Sequence, residues 1–181
     1  MKILIRALGA HVPAALKKRG VQELFRVTGS AFGCAVPDIT RLPIDQCIAE
    51  YARFTRSEAG KLSSSGGDRE TTRERLFQGG RALGGRMRKA FLIATMEDAV
   101  LAMSILYRAI RIEARSEDGS AMTVRSCYFS REYSPETCRV ISALDDGIFA
   151  GLSGGGRLKF NGRITDGSPV CSAQIVPGGA C

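Results

Sequence analysis

Apolar residues along this chain recur with two different periods, and the change from one to the other divides it. In the first half they return about every three to four positions, the spacing of one helix face. Ile44, Cys47, Ile48, Tyr51 and Phe54 form such a stripe behind Pro43, a residue suited to a first helical turn. Cys47 reads as a small buried residue within that stripe. Leu76, Gly80, Leu83, Gly84, Met87 and Phe91 form a second stripe, which predicts a long helix over about 69–91 whose glycines let another element approach closely. Thr95 and Asp98 have the spacing of a capping box that opens a third helix, running to about Leu106. Upstream of Pro43 the pattern is weaker, with a helix through Ala7 to Lys18 and then a loop rich in Gly29, Ser30, Gly33 and Pro37. Lys61 to Asp68, KLSSSGGD, reads as the clearest loop of the chain.

Beyond about residue 107 the period becomes two. Ile110, Ile112 and Ala114 alternate with Arg111, Glu113 and Arg115, and a turn at 116–120 leads to a second strand over Ala121 to Phe129. The alternation there puts Thr123, Arg125, Cys127 and Phe129 on one face. Ser134-Pro135-Glu136 is a strong helix start, and Gly154-Gly155-Gly156 stops that helix after about Leu152. A second hairpin follows: Arg157 to Thr165, with Leu158, Phe160 and Ile164 facing one way, a turn at Asp166-Gly167-Ser168, and Pro169 to Val176. The expected fold is α+β: a four-stranded antiparallel sheet built as hairpin–helix–hairpin and covered on one face by helices, with a helical N-terminal region. Residues 1–176 read as one domain, 1–94 mainly helical and 95–176 the hairpin–helix–hairpin unit, with 177–181 a flexible tail.

Composition changes this picture little. The 181 residues are 44% hydrophobic and 24% charged, near the globular average, which excludes a disordered chain, and six cysteines are too few for a disulfide scaffold. The most apolar stretch, Ala90 to Ile105, is broken by Thr95, Glu97 and Asp98, so no membrane span is expected; a cytoplasmic protein with reduced thiols is. Charge is uneven, with 17 Lys/Arg against 8 Asp/Glu in residues 1–94 and 9 against 10 in 95–181. Mixed signs such as Arg73-Glu74-Arg75 favour solvated helix faces over a nucleic-acid surface. No zinc spacing, RNP-like aromatics or phosphate-binding loop is present, so neither a metal nor a cofactor is expected, and nucleic acid is disfavoured as a partner. His11, the single imidazole, leaves a serine triad without its base. Self-association into a homo-oligomer is left open.

The chemistry that remains lies on the helix after Pro135. At about 100° per residue, Cys138, Ser142, Asp145 and Phe149 share a narrow sector, beside the apolar stripe Ile141, Leu144, Ile148 and Leu152. Cys127 ends the preceding strand and Cys171 lies in the last one, so Cys127, Cys138, Asp145 and Cys171 are expected to border one pocket. A thiolate at Cys138 or Cys127 is the candidate nucleophile, Asp145 the proton carrier, and Arg125 or Arg139 the group that holds a substrate carboxylate. Ser142, Phe149 and Cys171 complete the expected binding residues, and each thiol taken alone reads first as a packing residue.

The run Cys127-Tyr128-Phe129, the helix with Cys138 and Asp145-Asp146, and Ile164-Thr165-Asp166-Gly167-Ser168-Pro169-Val170-Cys171 resemble the L-2-amino-thiazoline-4-carboxylate hydrolase family over about residues 95–175. Ser142 stands where that family's Cys-x-x-Asp pattern has its cysteine. The resemblance implies ring-opening hydrolysis of a C–N bond in a small cyclic, carboxylated, nitrogen-containing substrate, in cytoplasmic bacterial metabolism. The same layout is similar to the 4-vinyl reductase domains, which implies a small-molecule-binding or redox-sensing module without turnover. A basic interaction protein using residues 1–94 is the third reading.

Overall fold

A computed structural model describes residues 12–64, 68–116 and 118–178. Five α-helices and four strands follow one another: α1 (Ala14–Phe32), α2 (Ile44–Ser64), α3 (Arg69–Ala90), α4 (Met96–Ala109), β1 (Ile112–Arg115), β2 (Ala121–Cys127), α5 (Pro135–Ser153), β3 (Arg157–Gly162) and β4 (Cys171–Val176). Short 3-10 turns follow β2 at Tyr128–Arg131 and β3 at Ile164–Asp166. The sheet order is β1-β2-β4-β3, antiparallel throughout, so the two hairpins meet along β2 and β4. The architecture is α+β, with helices packed on one face of the sheet. Ala114, Met122, Val124, Leu158, Ala173 and Ile175 are buried on that face, while Arg115, Arg125, Lys159 and Gln174 on the other are exposed.

Local signals explain several of the helix boundaries. The Asp68 carboxylate accepts from Thr71 N at 3.0 Å to open α3, Thr95 and Asp98 close a reciprocal capping box on α4, and the Ser134 hydroxyl accepts from Thr137 N at 3.1 Å at the start of α5. Two expectations upstream are corrected. Gly29 and Ser30 lie inside α1, not in a loop, because α1 runs on to a left-handed cap at Gly33 with φ 69°. The expected loop at 61–68 is shorter, since α2 continues through Ser64. Residues 7–11 of the helix expected over Ala7 to Lys18, His11 among them, residues 65–67, and residues 179–181 of the expected tail lie outside the described residues.

α3 and α5 form the central helix pair, and glycines set their separation. A Cβ on Gly80 would stand 2.5 Å from the Leu144 carbonyl oxygen, and one on Gly151 2.5 Å from Gly85 N; Gly84 and Gly147 oppose the Ile148 and Phe77 backbones still more closely. The two backbones therefore touch without intervening side chains. Asp146 ties the same unit to the sheet: Arg157 grips its carboxylate through Nε at 2.9 Å and a terminal nitrogen at 2.6 Å, and Leu158 N donates to it at 2.8 Å. No helix among the described residues is long and apolar enough to cross a membrane.

Candidate functional site

A cavity of about 580 Å³ runs between the helices and the inner face of the sheet. Leu16, Arg19 and Gly20 of α1 line it and are exposed, so it opens beside α1, near Met87 and Phe91 of α3 and Ile105 of α4. Its walls are aliphatic and aromatic over most of their length, with Met103, Leu144 and Ile148 buried among them. Polar groups gather on residues from β2, α5, the β3–β4 connection and the end of α4: Tyr107, Cys127, Cys138, Ser142, Asp145, Arg163, Thr165 and Cys171 all line the same space.

Two β-bulges aim part of this set inward. Opposite β1, Ser126 pairs with Glu113 and Val124 with Ala114, which leaves Arg125 as the extra residue. Beyond the bulge the alternation is reversed. Cys127 pairs with Ile112 and turns to the inner face, while Arg125 and Ser126 are both exposed. The expected shared face of Arg125 and Cys127 is thus corrected, and Arg125 lies outside the cavity. The second bulge falls at Asn161, between the pairs Phe160 with Ala173 and Gly162 with Ser172. It sends Gly162 outward and Arg163, next in sequence, inward, where unbroken alternation would do the reverse.

Asp145 is enclosed by protein, and the surface it keeps faces the cavity. Burial pushes its carboxyl from the ordinary 3.8 up to about 7; the hydrogen bond from Tyr107 and the positive charge of Arg163 oppose the rise, and neighbouring Asp146 adds to it. The phenols of Tyr107 and Tyr133 are raised well above their usual range, chiefly by burial. Tyr133 lies 2.5 Å from the Thr55 hydroxyl and stacks against Phe129 at 5.5 Å, which also meets the Tyr51 ring edge-on at 6.0 Å. The result is an aromatic wall.

Arg163 is the cation of the polar end. One terminal nitrogen donates to Ser142 Oγ at 2.8 Å, the guanidinium lies 4.5 Å from the centre of the Phe160 ring, and Nε is buried without a partner. Ser142 in turn donates to the Arg139 carbonyl at 3.2 Å. Cys171 Sγ accepts from Ile164 N at 3.3 Å, which fixes the turn that carries Thr165.

The thiols differ from the sequence reading in their chemistry. Burial pushes Cys127 up to about 12, and it raises Cys138 despite the opposing Thr165 hydroxyl and Arg163 charge. Both are held neutral near pH 7, the opposite of what an attacking thiolate requires. The dipole at the start of α5 does not offset the loss of water around Cys138.

Of the other expected residues, Cys127, Cys138, Ser142, Asp145 and Cys171 converge on the cavity. Arg139 does not: it is exposed and pairs with Asp166 at 2.6 Å. Phe149 shares the helical sector yet lies outside the cavity lining, fully buried in the core. Arg163, Thr165, Tyr51, Tyr107 and Tyr133 escape the sequence reading. A glycine inside a strand, as at Asn161-Gly162, is a recognised mark of a bulge and is the signal that leads to Arg163. Among the described residues no cluster of His, Cys, Asp or Glu is arranged to hold a metal. In comparison with known proteins, no family model matches this chain and no curated protein matches it.

Proposed function

We propose that the cavity is the active site of a hydrolase that opens a C–N bond in a small cyclic, carboxylated, nitrogen-containing substrate, with Asp145 as the proton carrier. The observation that carries this reading is the placement of one buried carboxyl, held by the Tyr107 hydroxyl, at the polar end of an otherwise apolar cavity. The resemblance of residues 95–175 to the amino-thiazoline carboxylate hydrolases supports the reaction class. A carboxyl that titrates near 7 is populated in both forms at neutral pH, as general acid–base work requires. In its ionised form Asp145 takes a proton from water as the water oxygen bonds to the electrophilic ring carbon. The adduct then collapses, the C–N bond breaks, and Asp145 returns the proton to the departing nitrogen. Neutral Cys127 and Cys138 are wall residues in this scheme, and Asp146, engaged by Arg157, is a structural tie.

The mostly apolar wall and the neutral thiols also favour a second reading, a module that binds a small molecule without turning it over. The discriminating experiment incubates the purified chain with a panel of thiazoline, imidazoline and dihydropyrimidine carboxylates and follows the gain of one water by mass spectrometry. Ring opening that is lost in Asp145→Asn and kept in Arg139→Ala is expected. Binding without any ring opening selects the module, and ring opening that survives Asp145→Asn removes Asp145 from the chemistry.

A further inference from the structure

Three buried side-chain atoms among the described residues lack a hydrogen-bond partner: Tyr51 Oη, Arg163 Nε and Thr165 Oγ1. All three belong to residues that line this same cavity. Thr165 lies against the Cys138 thiol and Tyr51 against Thr28, so Arg163 Nε is the atom whose want of a partner marks a place for a bound group. Arg163 Nε can only donate, which defines its missing partner as an acceptor, while the two hydroxyls can donate or accept. Arg163 sharpens this. Among the described residues it pairs with no carboxylate within 4.0 Å, although its charge acts on Asp145. A guanidinium lying over Phe160 with one N–H spent on Ser142 keeps an unpaired N–H for an acceptor at the polar end of an apolar chamber, with Asp145 near but not in an ion pair with it. The volume adds the second constraint. About 580 Å³ is room for a ligand of drug size, several times a five- or six-membered ring, and the space beyond the polar end is walled by residues such as Leu24, Met87, Met103 and Leu106.

We infer that the cavity takes an amphipathic anion, whose carboxylate or similar acidic head seats on Arg163 and Thr165 and whose apolar body extends along the helices toward the opening beside α1. This rests on the reading that the cavity is the functional site, and it adds the charge and shape of what enters. Arg163 is the specificity-determining residue: a planar fork with a free Nε accepts a carboxylate edge, which neither an alcohol nor an amine supplies.

The test measures binding alone, by calorimetry on the full chain. The probes are octanoate and 4-phenylbutyrate, each compared with its alcohol and its amine. Both carboxylates are expected to bind at least about tenfold more tightly than the alcohols, about 1.4 kcal/mol, with the amines weakest. Arg163→Gln is expected to bring the carboxylates down to the alcohols' affinity and to leave the alcohols unchanged. Thr165→Val, a milder change that keeps the guanidinium, is expected to weaken the carboxylates severalfold and shows the same dependence if Arg163→Gln fails to fold. Equal affinity for carboxylate and alcohol in the native chain overturns the inference, and so does a carboxylate preference that survives Arg163→Gln or, should that variant not fold, Thr165→Val. Arg163-dependent carboxylate binding without ring opening leaves this inference standing and the hydrolase reading defeated; ring opening without a carboxylate preference does the reverse.

Discussion

Asp145 is the residue whose position costs the fold most directly, and the cost has a pH signature. An unfolded Asp releases its proton near 3.8, whereas the native carboxyl holds it to about 7. Between those values the native state binds more protons than the unfolded chain, so stability falls as pH rises. The contribution is fully favourable below about pH 4, is lost on passing through 7, and amounts to about 4 kcal/mol across that window. An asparagine in its place cannot ionise and escapes the loss. Asp145→Asn is therefore expected to gain stability over the native chain progressively from pH 4 to a plateau above pH 7, read as urea midpoints across pH. A difference that does not change with pH would place the Asp145 carboxyl in an ordinary, solvated setting and would end its role as proton carrier. The same substitution is expected to abolish ring opening, so one variant separates what the site costs from what it does.

At the scale of elements, the α3–α5 contact and the two bulges hold the site in place. Gly84 faces the Ile148 carbonyl so closely that a methyl group has no room, whereas a Cβ on Gly85, one residue on, meets nothing within 4 Å. Gly84→Ala is expected to cost about 1–3 kcal/mol through forced separation of the helices, and Gly85→Ala to gain about 0.5–1 kcal/mol through helix propensity. Thermal denaturation of the pair checks this, and equal effects from both would mean that the helices are not in backbone contact. The stripe from Leu76 to Phe91 makes this contact legible, because glycines at helical spacing have few uses other than close approach. The capping signals at Thr95 and Ser134 and the alternation in β1 and β4 are legible for the same reason: each is a local preference that the tertiary structure keeps. The site is legible only in part. Helical geometry brings Cys138, Ser142 and Asp145 together, but no local feature marks Arg125 as a bulge, so alternation alone puts Cys127 one residue out of phase and Arg125 on the wrong side. Asn161-Gly162 carries a mark, and following it exchanges Arg139 for Arg163. The raised thiols are not legible at all, since the helix-start argument for Cys138 counts a dipole and omits the burial that outweighs it.

For the whole molecule, a cavity of about 580 Å³ in a chain of 181 residues is a large vacancy in the core, and apolar side chains along it give up packing contacts they would otherwise make. The fold tolerates this because the glycine-packed helix pair and the Asp146–Arg157 tie stabilise it beside the void. Ala102 of α4 lines the cavity from a buried position. Enlarging it to leucine places three further carbons in the vacant space at about 0.8 kcal/mol each, less the strain of fitting them. Ala102→Leu is expected to raise the unliganded chain's stability by about 1 kcal/mol and to weaken octanoate, which must share the apolar space, while the preference for carboxylate over alcohol stays intact because Arg163 is untouched. Urea denaturation and the same calorimetric series read the two effects separately. A loss of stability on Ala102→Leu would show that the chamber is already filled by its own side chains, and the amphipathic ligand would then have no body-sized space to enter.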